Sequence, residues 1–207
     1  MDVDVNPVTV MTVDKLLVVS AEKKFPNTLP LAEEPDGSIR KISESKEAID
    51  SFATLMTAFN MERLHNSVYS LAFAEAAFEE TVAYCEQRQS FGRKIIEFQA
   101  TYHTLVDMYV AIEAHRLLTY KAAATATEGR FPQPLESTVS KLSGATMLPD
   151  LTQQGLLLHG GDGATLDFPI QRLHRDAIAA MVAGGSPPVL RNTIAAQLFP
   201  PRRFRQK

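Results

Sequence analysis

The sequence predicts a mainly α protein, an up-down four-helix bundle preceded by a short β/loop segment. Three observations carry that prediction. Apolar residues recur at helical spacing through three long stretches, about 43–86, 97–128 and 135–158. Short connections containing Gly or Pro join these stretches, so consecutive helices become antiparallel neighbours. The first 42 residues follow another pattern, of β-branched runs broken by Pro and Asp. The expected organisation is a β/loop segment over 1–42, a helical domain over 43–199 and a basic tail over 200–207.

In chain order, Val3, Val5, Val8 and Val10, then the run 16–19, suggest two or three strands interrupted by Pro7 and Asp14. Pro26, Pro30, Pro35 and Asp36-Gly37 mark turns. So small a segment cannot hold its own core. It packs on the helices or on a partner chain, or is the remnant of a larger β domain. Ser43 or Ser45 can cap the first helix, whose stripe is Ile49, Phe52, Met56, Phe59, Leu64, Val68, Leu71, Ala74, Phe78, Val82 and Cys85. Asn60 offers a break or second start. A tight turn at Phe91-Gly92 leads to the second helix, with Phe98, Tyr102, Leu105, Met108, Ile112, His115 or Arg116, and Leu118 inward and Gly129 at its end. The third helix turns Val139, Leu142, and Ala145 or Thr146 inward, and Pro149 predicts a kink or one-turn break. A glycine-rich turn, 159–163, precedes a short helix over 169–175 and a last one over 189–198. Pro187-Pro188 suit the first turn of that last helix, and Pro200-Pro201 stop it.

Of 207 residues, 45% are apolar and 22% charged, the balance of a soluble globular chain that can bury a core. A net charge of -3 without a basic stripe argues against nucleic acid. The local excess at Arg202, Arg203, Arg205 and Lys207 fits a solvated tail. The single cysteine, Cys85, excludes an internal disulfide and fits a reducing compartment; its place in the apolar stripe makes it a buried spectator. No secretory signal is visible, and no apolar run approaches the ~20 residues needed to cross a bilayer. The expected location is the cytoplasm, with no membrane partner. His65, His103, His115, His159 and His174 show no metal-ligand spacing, and no nucleophile elbow is present.

Several short motifs remain: Glu62-Arg63-Leu64; Tyr84-x-x-x-Arg88-x-x-Phe91-Gly92; Phe98-Gln99; Asp107-Met108; Leu117-Leu118-Thr119-Tyr120-x-Ala122-Ala123; Ser140-Lys141-Leu142; His159-Gly160-Gly161-x-Gly163; and Pro169-Ile170-x-Arg172-x-x-Arg175-Asp176. Each alone is weak. In this order and spacing they resemble the C-terminal helical domain of flavin-dependent acyl-CoA dehydrogenases, from Met61 onward. The resemblance implies FAD as cofactor, an acyl-CoA substrate in fatty acid metabolism, and α,β-dehydrogenation, in which a carboxylate removes the α-proton while the β-hydride passes to the flavin. It also implies association, as a homodimer or tetramer or with a full-length relative.

Most members of that family carry the catalytic glutamate in a Glu-Gly-Thr-Ser stretch before the last helix. Here the matching stretch, 183–188, puts Gly184 in its place. The isovaleryl- and long-chain-type members use a glutamate in a Glu-Arg-Leu setting on the first helix instead, which Glu62 matches. Glu62 is thus the candidate base; the alternative is a solvated glutamate paired with Arg63 or Arg130. The resemblance assigns Arg88 and Phe91 to the flavin's pyrophosphate and adenine side, and Gln99 to its adenosine end; Ser90 could add a hydroxyl donor beside them. Gly160 and Gly161 would admit the dinucleotide to the backbone, and Ser186 stands where a flavin-contacting threonine is usual. An arginine suits a diphosphate because it is permanently charged and forks onto two oxygens. The alternative for 88–92 is that Gly92 only makes a turn and Phe91 caps the core. Leu157 replaces a usual glutamine, Pro187 and Pro188 remove two backbone donors, and Arg175-Asp176 are expected as a helix-end ion pair. A rival reading is a non-catalytic bundle that supplies an oligomer interface and part of a flavin site to a fuller partner; a third is a helical module that no longer binds flavin.

Overall fold

The computed structural model describes residues 46–126 and 131–199; the expected strands over 1–42, the caps Ser43 and Ser45, Gly129 and the basic tail lie outside them. The chain divides into two compact units, Met1–Phe59 and Asn60–Lys207, and the hydrophobic core belongs to the second. Five α-helices are described: α1 Lys46–Gln87, α2 Gln99–Ala124, α3 Pro134–His159, α4 Ile170–Val182 and α5 Pro187–Leu198. A two-stranded antiparallel turn, β1 Gln89–Ser90 and β2 Arg93–Lys94, joins α1 to α2. The mainly α bundle expected from the periodicity is the fold observed.

The core gathers Leu71, Ala74, Ala77 and Cys85 of α1, Leu105, Met108 and Ile112 of α2, Leu148 and Leu151 of α3, and Ile170, Leu173, Ala177 and Ala180 of α4. At position 60 the helix runs on without a break, with the Asn60 side chain buried and 3.4 Å from Arg63 Nη1. Helix α3 is the central element, and its buried face differs from the expected one. Val139 and Leu142 are only half-buried and Thr146 is exposed. Ser137, Thr138, Ser140, Lys141, Gly144, Thr152 and Gly155 face inward together with Ala145, Leu148 and Leu151. Small side chains let neighbouring helices approach closely. A Cβ on Gly144 would stand 2.8 Å from Ser70 Cβ, and one on Gly155 2.7 Å from Ile170 Cδ1. Burying hydroxyls is tolerable because they return to their own helix: Ser67, Ser70, Thr81, Thr119 and Thr152 each donate to the carbonyl four residues earlier.

Other expectations are corrected. No one-turn break occurs at Pro149; α3 is continuous through it, and the proline is buried. Helix α2 ends at Ala124, before the expected 128, where Thr125 N and Oγ1 both turn back to Ala122 O. Tyr102 is exposed and Thr101 takes its inward place. Of the two alternatives at this turn the structure buries the expected His115, while Arg116 bridges Glu75 and Glu113 across α1 and α2. Helix α4 extends to Val182, beyond the expected 175, because Ala177 and Ala180 continue its buried face. Arg175 and Asp176 therefore lie mid-helix, and no ion pair among the described residues joins them.

Candidate functional site

Two clusters of sequence-predicted residues form, at opposite ends of the 60–87 stretch of α1. At the first, Glu62 and Asn66 are one helical turn apart and share a face. Asn66 Nδ2 donates to Glu62 O at 3.0 Å. Opposite them, the connection from α4 to α5 turns through Gly184 (φ 68) and Gly185 (φ 116), conformations that favour glycine. A Cβ on Gly184 would stand 3.7 Å from Glu62 Oε1 and 2.5 Å from Asn66 Nδ2. Both the backbone conformation and Asn66 thus disfavour a side chain at 184, while the Glu62 carboxylate already stands beside that spot. Glu62 itself is exposed. Ser186 is the N-cap of α5, half-buried, and its hydroxyl makes no capping bond. Pro187 and Pro188 occupy the first positions of α5, where backbone N–H groups lack intrahelical partners anyway. Their missing donors cost this turn little.

Behind Glu62 lies a buried layer rich in positive charge. Lys141 is fully buried and donates from Nζ to Ala180 O at 2.7 Å, tying α3 to the last turn of α4. Burial pushes its ammonium down to about 8, against the attraction of Glu62. Arg63 is buried too; Nη1 donates to Thr138 Oγ1 at 3.2 Å while Nε has no partner. Burial lowers its pKa, and Glu62 opposes the shift. His115 donates from Nε2 to Ser67 O at 3.0 Å, which leaves Nδ1 as a buried lone pair. Burial favours its neutral form.

At the other end, Phe91 (φ 51) and Gly92 (φ 79) form a two-residue loop with positive φ at both centres, as a type I′ hairpin requires. Phe91 does not cap the core: it is 96% exposed, touching Phe98 edge-on at 6.4 Å between ring centres. Gln99, the exposed first residue of α2, follows Phe98. Arg88 Nη1 stands 3.5 Å from Asp162 Oδ2, so the 88–92 turn and the glycine-rich turn meet. Gly160 (φ 60) and Gly161 have open space where a Cβ would stand. Tyr84 Oη lies 2.7 Å from Asp162 Oδ2 and 3.1 Å from His159 O, and its ring stacks on His159 at 4.1 Å. Ser90 is half-buried in β1, and Leu157 is exposed. Cys85 is buried and pushed up to about 11, which keeps it a thiol.

The turn that carries Arg88, Ser90 and Phe91 thus meets the glycine-rich turn of Gly160 and Gly161 through Arg88 and Asp162, and Gln99 follows the Phe98 ring that Phe91 touches; Glu62 and Ser186 lie at the other end. Arg88 follows Glu62 by 26 residues (88 − 62), about 39 Å at 1.5 Å per residue. Sequence reasoning misses Asn66, Lys141 and Asp162 as site residues. The turn-to-turn spacing from Glu62 could have found Asn66; the other two are set by tertiary pairing. Among the described residues no group of His, Cys, Asp and Glu could hold a metal ion, and no helix is long and apolar enough to cross a membrane.

Residues 52–199 match the model of the acyl-CoA dehydrogenase C-terminal domain. A 3-sulfinopropanoyl-CoA desulfinase of Paraburkholderia xenovorans is 35% identical over 148 residues, covering 72% of this chain and 38% of that protein. A short-chain-specific acyl-CoA dehydrogenase of Clostridium acetobutylicum is 34% identical, covering 72% and 39%. The butyryl-CoA dehydrogenase structure from Megasphaera elsdenii superposes with a TM-score of 0.69 at 30% identity, over 72% of this chain and 39% of that one. The chain thus spans about two fifths of the length of these relatives. Glu-Arg-Leu, the 88–92 turn and the glycine-rich turn all fall inside the matched segment, and with it they place the chain in the acyl-CoA dehydrogenase family, as its C-terminal helical domain.

Proposed function

We propose that this domain supplies the α-proton base, Glu62, for FAD-dependent α,β-dehydrogenation of an acyl-CoA thioester. The observation that carries the reading is the Glu62 carboxylate beside Gly184, with 3.7 Å from Oε1 to the Cβ position there. A base must reach the proton it abstracts, and geometry precedes strength. Glu62 takes the α-proton; bound FAD would accept the hydride from the β-carbon, leaving the enoyl thioester. Asn66 donates to the Glu62 backbone carbonyl, and its amide lies, like the carboxylate, against the Gly184 turn. Desolvation of the carboxylate would come from the acyl chain and from protein outside this domain.

The other end suits the diphosphate and adenosine side of FAD. Arg88 is exposed and can fork onto phosphate oxygens, Gly160 and Gly161 have open space where a Cβ would stand, and Phe91 and Gln99 are exposed. With some 39 Å between the ends, Glu62 and Arg88 would serve different cofactor molecules in an assembly. An exposed apolar stripe on α2, of Tyr102, Val106, Tyr109, Val110 and Leu117, supports association with another copy or a longer relative. That stripe equally favours the rival role, a non-catalytic subunit that lends an interface and half a cofactor site.

The test is Glu62→Gln in the assembled flavoprotein, assayed with acyl-CoA thioesters and, given the desulfinase relative, with a sulfinoacyl-CoA. Turnover should fall on the order of 10³-fold while the flavin's visible spectrum is kept. Unchanged turnover would refute Glu62 as base. A preparation that is colourless in every setting would remove the flavoprotein reading itself.

A further inference from the structure

Asp162 introduces a fixed anion where a phosphate-binding turn has no need of one. Its Oδ2 receives the Tyr84 hydroxyl at 2.7 Å and stands 3.5 Å from Arg88 Nη1. Tyr84 cannot easily swing away, because its ring stacks on His159 and meets Phe168 edge-on at 5.4 Å. The backbone of Asp162 is held as well: Thr165 N and Oγ1 both donate to its carbonyl, at 3.0 and 2.8 Å. The carboxylate is thus pre-positioned against the one guanidinium that the 88–92 turn offers to the glycine-rich turn.

We propose that Asp162 is an internal competitor for Arg88, a residue that sets how tightly the Gly160–Gly161 turn holds a diphosphate-bearing ligand. The inference rests on reading Arg88 as the diphosphate-facing cation. An exposed pair of this kind separates at little cost. The carboxylate, however, stays beside the incoming phosphates, held by Tyr84. Two like charges this close in a water-like medium change an affinity by about fivefold, and salt screens the effect. Asparagine at 162 would keep an acceptor for the Tyr84 hydroxyl and remove the charge, so the turn should keep its shape.

The experiment is calorimetric titration of the full chain with ADP, and separately with FAD, at low and high salt. Four proteins are compared: wild type, Asp162→Asn, Arg88→Ala and the double variant, each checked for an unchanged melting temperature. Asp162→Asn should bind ADP about three- to tenfold tighter at low salt, the gain shrinking at high salt. Arg88→Ala should weaken binding, and in its background Asp162→Asn should gain less. If Arg88→Ala weakens binding while Asp162→Asn matches or falls below wild type, the competitor role is overturned and the diphosphate reading survives. If neither substitution matters, or no variant binds at millimolar ligand, both are overturned.

Discussion

The two ends of the 60–87 stretch of α1 invest their charged residues differently. Around Glu62 the cations are buried: Arg63 and Lys141 lie inside the bundle, each with hydrogen bonds to a neighbouring helix. Around Arg88 the cation is exposed, its ion pair is open to solvent, and an aromatic ring stands almost wholly in water. Burying a charge is costly unless it is partnered, and a buried partner fixes geometry. The Glu62 end is therefore built to hold one carboxylate and one glycine turn in register. The Arg88 end is built on side chains that can exchange a protein partner for a ligand at small cost.

The largest expected contrast is in stability. Leu64, fully buried two residues from Glu62, should cost about 2–5 kcal/mol when cut to alanine. Arg88→Ala should cost below about 1 kcal/mol, since exposed pairs contribute little. Urea unfolding of the two variants measures both. Equal losses would mean that the Arg88 end is also a structural anchor, and the contrast would collapse.

The next effect is a pH dependence. Lys141 is pushed from 10.5 down to about 8 by burial. Between those values the unfolded chain binds more protons than the folded one, so this group makes stability rise with pH over that window. Cys85 and Tyr84, whose pKa values are raised by burial, pull the other way at the alkaline side. The comparison that isolates the lysine is Lys141→Met against wild type by denaturant unfolding at pH 8, 9 and 10. The variant should lose the rising component. Glu62→Gln removes an attraction that keeps the Lys141 proton on, so it should start that rise at lower pH. Parallel pH profiles in all three proteins would show that Lys141 is not the titrating group.

Legibility in the sequence differs between the ends as well. The turn at Phe91-Gly92 and the existence of the helices around it are local events, set by turn chemistry and periodicity; the turn stands where the sequence predicts it, although it is flanked by two short strands and the following helix ends four residues early. The inward face of α3 escapes such a reading because Ser, Thr and Gly count as polar or neutral in any hydrophobic pattern. Their hydroxyls bond back to their own helix, and their small size is what lets α1 and α4 approach. The end of α4 is hard to place because its later buried residues are alanines, weak signals in an apolar stripe. Glu62 is legible only together with the vacancy at Gly184; Lys141 and Asp162 gain their partners from helices and turns 39 and 74 or more residues away, which periodicity does not encode.

The smallest effect isolates the turn itself. Phe91 places an exposed ring at a turn position whose φ of 51°, which the hairpin requires, is unfavourable for any residue with a Cβ. Alanine there keeps the backbone penalty and removes the ring, so Phe91→Ala should shift stability by no more than about 0.5 kcal/mol. Glycine relieves the penalty but loosens the unfolded chain, so Phe91→Gly should stabilise by at most about 1 kcal/mol. The alanine–glycine difference measures the strain; the wild type–alanine difference measures the ring, including its edge contact with Phe98. A loss above about 1.5 kcal/mol in the alanine variant would make Phe91 a structural residue. A near-zero loss, together with weaker ADP or FAD binding or weaker self-association, leaves the ring a role only outside the folded domain, against a cofactor or another chain.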